Sequence, residues 1–230
     1  MQVKLTSIPL RETLHFLGWR GTPVEPELLE RIKALCDRVI SDIRPNVVMR
    51  RFAMDDQYAL IGSSFLPQGD DIRKMLAPCG GAVLLAATLG AESERMLLRE
   101  QARSSESALL LDAVLSAAIE SVCDVQENAL RETLLKEGLY LTDRFSPGYG
   151  DMPIGQTREI CSVLNTERTI GLTVSGSGIM MPRKSVTAVM GVGTQPVERR
   201  ASGCETCSAR EHCNMRRNEE PCHGTANHPA

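Results

Sequence analysis

The sequence predicts an α+β fold: a twisted, mainly antiparallel sheet flanked by helices, one long helix laid across it, and a small cysteine-rich tail. Three observations carry that expectation. Residues 107–136 hold an apolar stripe (Leu110, Val114, Ala118, Val122, Val125, Ala129, Leu135) at helical spacing, and Gly138 supplies a stop. Residues 81–89 form an almost unbroken apolar run closed by Gly90, the pattern of a buried strand. The final third is rich in strand formers, and its connections after Gly171 are too short for helical crossovers, so pairing there is antiparallel.

In chain order, a short opening segment with Ile8 and Pro9 leads into residues 25–43, where Leu28, Ile32, Leu35, Val39 and Ile43 recur at helical spacing. Pro26 suits a first helical turn, and Pro45 follows the end. Residues 46–54 and 58–65, rich in Val, Phe, Tyr and Ile around Asp55-Asp56, predict a hairpin. A short helix over 71–76 precedes the strand at 81–89, and a helix over 91–101 follows it. That β-α-β-α order alone would also fit a doubly wound sheet. After the long helix come a strand-like 139–143, a loop 144–153, a helix 154–164, and strands 171–181 and 185–192 expected to pair with each other. Residues 195–202 read as a linker, dividing the chain into a domain over 1–198 and a tail over 199–230.

Composition narrows the functional classes. A net charge of −3 without a long basic run argues against a nucleic-acid partner, since binding a duplex rests on neutralising several phosphates. The longest apolar run is far shorter than the roughly 20 residues a bilayer span needs, and no basic-then-apolar signal opens the chain. The expectation is a cytoplasmic protein without a membrane partner. Aromatic residues are only 3% of the chain, so the core must be aliphatic.

The most informative segment is Arg144-Phe145-Ser146-Pro147-Gly148-Tyr149-Gly150-Asp151, between a strand and a helix. Arg144 offers a planar fork able to hold a carboxylate with two hydrogen bonds. Pro147 stiffens the loop, Gly148 and Gly150 permit positive φ or a close backbone approach, and Tyr149 adds a ring face and a hydroxyl. The same residues also fit a plain tight turn with Arg144 in a surface ion pair.

Arg144-x-x-Pro147-Gly148-Tyr149 resembles the signature of the reactivation domain of cobalamin-dependent methionine synthase, in which that loop grips S-adenosylmethionine. The preceding long helix, the following helix, Ile170-Gly171-Leu172-Thr173, and Met181-Pro182 before Lys184-Ser185-Val186 agree with the family in order and spacing. The resemblance is clear over 107–193 and loose before it. It implies that Arg144 meets the cofactor's carboxylate while Pro147, Gly148 and Tyr149 shape the adjoining wall. A sulfonium also calls for negative charge nearby, for which Glu120 is the first candidate and Asp112 the second; both also fit a solvated helix face. Where the family often has Thr-Glu-Ser, this chain reads Val174-Ser175-Gly176-Ser177-Gly178, with glycine in place of the acid.

Of eight cysteines, Cys36, Cys79, Cys123 and Cys161 sit in apolar segments and read as packing. Cys204-x2-Cys207-x5-Cys213-x8-Cys222 has spacing suited to one metal centre, either zinc or an iron–sulfur cluster. A flexible thiol-bearing tail is the alternative.

The leading expectation is thus a chain that binds S-adenosylmethionine and supports reductive remethylation of cobalamin on a partner corrinoid methionine synthase or other corrinoid protein, with flavodoxin or ferredoxin as electron donor. Methyl transfer to cobalt(I) needs positioning rather than acid–base help, and no catalytic triad is expected. A second class is a non-catalytic metal-binding interaction module that has lost the cofactor. A doubly wound methyltransferase fits poorly, because no G-x-G turn follows the first strand.

Overall fold

The computed structural model describes residues 1–19 and 23–196. The expected tail centre at Cys204, Cys207, Cys213 and Cys222 lies outside the described residues, as does most of the linker.

The element order is α1 (Leu10–Phe16), α2 (Pro26–Asp42), β1 (Asn46–Ala53), α3 (Asp70–Leu76), β2 (Gly81–Thr88), α4 (Ala91–Arg103), α5 (Ser105–Lys136), β3 (Tyr140–Leu141), α6 (Gln156–Leu164), α7 (Thr166–Ile170), β4 (Thr173–Val174), β5 (Met180–Met181) and β6 (Ser185–Gly193). The main sheet has the order β1-β2-β6-β3, antiparallel throughout, and α5 crosses it. The α+β expectation therefore holds.

β2 explains the apolar run. Every one of its residues is buried, because the strand is central and both faces of the sheet are covered. Side chains alternate: Val83, Leu85 and Ala87 join the core formed with α2, α4 and α5, whereas Ala82, Leu84 and Ala86 join a second core with α3, α6 and α7. Burying a leucine of this kind is worth roughly 1.5–3 kcal/mol.

α5 is capped by Ser104, whose side chain accepts from the Ser107 amide. Its predicted stripe holds from Leu110 to Val122 and then drifts. Val125 and Leu135 are exposed, and burial passes to Gln126 and Leu134, because steps of four follow the helix past the point where an alternating three-and-four pattern leaves the core.

Three expectations are corrected. Residues 58–65 do not form a hairpin with β1: they touch it through the single bridge Met54↔Leu60, and β1 runs its full ladder with β2. Asp55 Oδ1 accepts from the amides of Gln57 (2.9 Å) and Ala59 (2.8 Å), Tyr58 takes a positive φ of 68°, and the chain turns Leu60 and Phe65 into the second core instead. Residues 171–181 are not one strand. β4 and β5 pair with each other across a turn at 175–178, so β6 is free to pair with β2 and β3. Residues 10–16 and 166–170, expected as neither, are helices.

Candidate functional site

The site grows from the end of β3. Phe145 exchanges backbone hydrogen bonds with Val189 of β6, and its ring is buried in the second core. Because strand side chains alternate, Arg144 points the other way, onto α5. There Nη1 donates to Glu127 Oε2 (2.8 Å), and Nη2 donates to Asp124 Oδ1 (2.7 Å) and Glu120 Oε2 (3.2 Å). The three acids are spaced i, i+4, i+7 and share one face of the helix.

Accessibility grades this cluster. Glu127 is 13% and Arg144 17% exposed, Glu120 34%, and Asp124 55%. Glu127 is also gripped by Arg131 (2.7 Å), which reaches the backbone carbonyls of Leu141 and Thr142 and so ties α5 to β3. Burial raises the Glu120 carboxyl above its ordinary value, with Arg144 opposing and Asp124 and Glu12 adding to the rise. For Arg144, burial works against the charge, but the carboxylates of Asp124 and Glu127 outweigh it and hold the guanidinium above its ordinary value. Cys123, at the back of the cluster, is pushed up to about 12 by burial and is inert as a nucleophile.

Beyond Phe145 the chain makes a tight turn. Pro147 is buried, the Tyr149 amide donates to Ser146 (3.0 Å), Gly148 donates to Met152 (2.9 Å), and the Tyr149 ring stands 64% exposed. Gly148 has φ 93° and Gly150 φ 50°, and a Cβ on Gly150 would collide with the Asp71 carboxylate.

Two further side chains clasp this region to α3 and to the segment before it. Asp151 accepts from the amides of Asp70 (2.6 Å) and Asp71 (3.1 Å) at the start of that helix, and these bonds hold its carboxyl below the usual range. Gln156, fully buried, accepts from the Gln68 amide (2.9 Å) and donates to the Leu66 carbonyl (2.8 Å).

Of the expected residues, Arg144 and Glu120 are in contact, and Pro147, Gly148 and Tyr149 form the adjoining turn. Asp112 is elsewhere: it pairs with Lys184 (2.8 Å), two turns up α5 from Glu120. Gly176 lies in the β4–β5 turn, where Arg158 donates to the carbonyls of Ser175 (2.7 Å) and Gly176 (2.9 Å). Sequence reasoning missed Asp124 and Glu127, although an acidic ridge inside an otherwise apolar helix was a readable signal. It missed Asp151 and Gln156 as well, whose partners lie some 80–90 residues away and leave no local trace.

A cavity of about 170 Å³ lies beside the cluster, between residues 3–9 and the Ser121–Val125 stretch of α5, with Asp124 and Lys4 in its wall. Among the described residues no group of three or more His, Cys, Asp or Glu side chains is placed to hold a metal ion, and no helix is long and apolar enough to cross a membrane.

No family model and no curated protein matches the sequence. Among solved structures, the chain is similar to the MetH reactivation domain bound to AdoHcy, with a TM-score of 0.60 over 83% of this chain and 77% of that one, at 17% identity. Likeness at that identity is a likeness of fold.

Proposed function

We propose that this chain binds S-adenosylmethionine and presents its methyl group to a reduced corrinoid held by a partner, as the reactivating component of a cobalamin-dependent methyltransferase system. The observation that carries the reading is a coincidence of two independent features. The fold is similar to that of a reactivation domain whose structure holds AdoHcy, and the one loop that matches that family's signature sits here between β3 and α6 with its tyrosine exposed.

The donor set fits the ligand. S-adenosylmethionine carries one carboxylate and two positive groups, an ammonium and a sulfonium, and the cluster offers one guanidinium and three carboxylates. Arg144 takes the ligand carboxylate, Glu120 places negative charge near the cationic end, and Gly148 and Tyr149 border the rest. When bound, the cofactor supplies an electrophilic methyl group. The chain's own task is to orient it and exclude water, so no general acid or base is assigned. The electron donor, a flavodoxin or ferredoxin, and the tail centre of zinc or iron–sulfur belong to the same proposal.

Isothermal calorimetry tests it. Wild type binds S-adenosylmethionine, Arg144→Ala loses about 1.5–3 kcal/mol, or roughly ten- to hundredfold, and Arg144→Lys recovers only part because it keeps the charge but not the fork. Absence of binding by wild type at millimolar ligand sinks the reading. Anaerobic incubation with an inactive corrinoid methyltransferase, reductant and labelled cofactor then tests the transfer.

One observation favours a second reading, a non-catalytic interaction module: the Arg144 fork is already engaged by three of the chain's own carboxylates. Under that reading wild type and Arg144→Ala are equally blind to the cofactor.

A further inference from the structure

The engagement of Arg144 poses a physical problem for any carboxylate ligand, since both Nη2 donors and one on Nη1 are held by the chain's own carboxylates, so a ligand that docks on the Nη2 edge of the fork must displace a partner. The three partners are not equally easy to release. Glu127 is nearly buried and held from its other side by Arg131, so its departure would take a carboxylate from two guanidinium groups at once. Glu120 is two-thirds covered. Asp124 is more than half exposed, shares Nη2 with Glu120, and lies on the solvent side. If Asp124 turns away, Nη2 keeps Glu120, and the freed carboxylate is rehydrated at little cost.

Asp124 also has somewhere to go. It lines the 170 Å³ cavity between α5 and residues 3–9, and Lys4 is among the lining residues of the facing segment. Its two side-chain torsions let the carboxylate turn away from Arg144 while α5 stays in place.

We infer that Asp124 is an internal stand-in for the ligand's carboxylate: it occupies the outer edge of the Arg144 fork in the empty protein and is displaced toward the cavity when a free amino-acid carboxylate docks. Asp124 is then a residue that sets affinity and selects for ligands carrying a carboxylate, because only such a ligand replaces what Arg144 gives up. The inference rests on the proposed cofactor site.

The sign of the effect separates this role from simple electrostatics. S-adenosylmethionine is a net cation, so deleting a nearby negative charge should weaken its binding if Asp124 merely attracts it. Deleting an internal competitor does the opposite. The probes are S-adenosylmethionine and its decarboxylated analogue, titrated by calorimetry into wild type and Asp124→Asn. The expected result is that Asp124→Asn binds S-adenosylmethionine about two- to fivefold more tightly, the size of a half-exposed ion pair removed from competition. The decarboxylated analogue binds no more tightly to the variant than to wild type, since it never competes for the fork.

Equal or weaker binding of S-adenosylmethionine by Asp124→Asn, while wild type binds it, overturns the inference and leaves the cofactor reading standing. So does a matching gain for the decarboxylated analogue, which would mean a general loosening of the site. Should neither protein bind either probe at millimolar concentration, the cofactor reading falls and takes this inference with it.

Discussion

The two faces of the central sheet are built by different means. On one face, long helices α2, α4 and α5 lay continuous aliphatic surface over Val83, Leu85 and Ala87. On the other, α3, α6, α7 and irregular loops cover Leu84 and Ala86, and their positions are set by single polar side chains: Asp151 on α3, Gln156 on the segment before it, Thr166 on the Leu172 carbonyl (2.7 Å). The first face is a frame whose geometry is shared among many interchangeable contacts. The second is a set of short pieces held by particular bonds, and it carries the turn that borders the candidate site. The lesson is that the cluster on α5 is rigid in its helix, whereas the Tyr149 turn is only as fixed as its clasps.

Adjacent residues of β2 offer the largest test of that contrast. Leu84 and Leu85 are both fully buried, but Leu85 faces the long helices and Leu84 the short elements. Both leave a cavity when truncated, and the cost depends on how far the surroundings collapse. We expect Leu85→Ala to cost about 4–5 kcal/mol and Leu84→Ala about 2–3 kcal/mol, read from urea midpoints at matched slopes. Equal costs would erase the distinction between frame and clasped face.

A second test acts on the clasp itself. Asp151→Asn keeps one acceptor but removes the negative charge at the start of α3. Hydrogen exchange at the Asp70 and Asp71 amides should quicken while the β2 amides stay protected. The pH sign follows from the depressed carboxyl. Its contribution is present above the ordinary carboxylate value of about 4 and is lost as pH falls through the lower folded value. The stability gap between wild type and Asp151→Asn should therefore be open at pH 6 and close in strong acid. A gap independent of pH would mean the carboxylate's charge is not what holds α3.

The same contrast governs what was legible in the sequence. α5 and β2 could be read directly, because periodicity and burial coincide where an element packs along its whole length on one surface. Arg144 and Glu120 could be named because a local motif and a need for negative charge pointed to them, and the fold brings them within 3.2 Å. The hairpin expected at 58–65 failed because Asp55 bonds and the positive φ of Tyr58 override strand propensity there. The 171–181 strand failed because its glycines serve a turn. Asp112, the second candidate acid, meets Lys184 after the fold brings β6 alongside, a partner that no spacing on the helix reveals.

The smallest expected effect decides between two forces on Glu120. Burial raises its carboxyl, and Arg144 pulls it down, with burial the larger. A carboxyl whose folded value lies above its unfolded value of about 4.3 adds stability below that value and loses it as pH rises through the folded one. Glu120→Gln has no such titration. Comparing melting temperatures at pH 4 and pH 7, the difference between variant and wild type should shift in the variant's favour at the higher pH, opposite in sign to the Asp151 pair. If wild type gains instead, the Arg144 ion pair outweighs the burial of Glu120, and the acidic ridge stabilises the frame rather than standing as charge held ready for a cationic ligand.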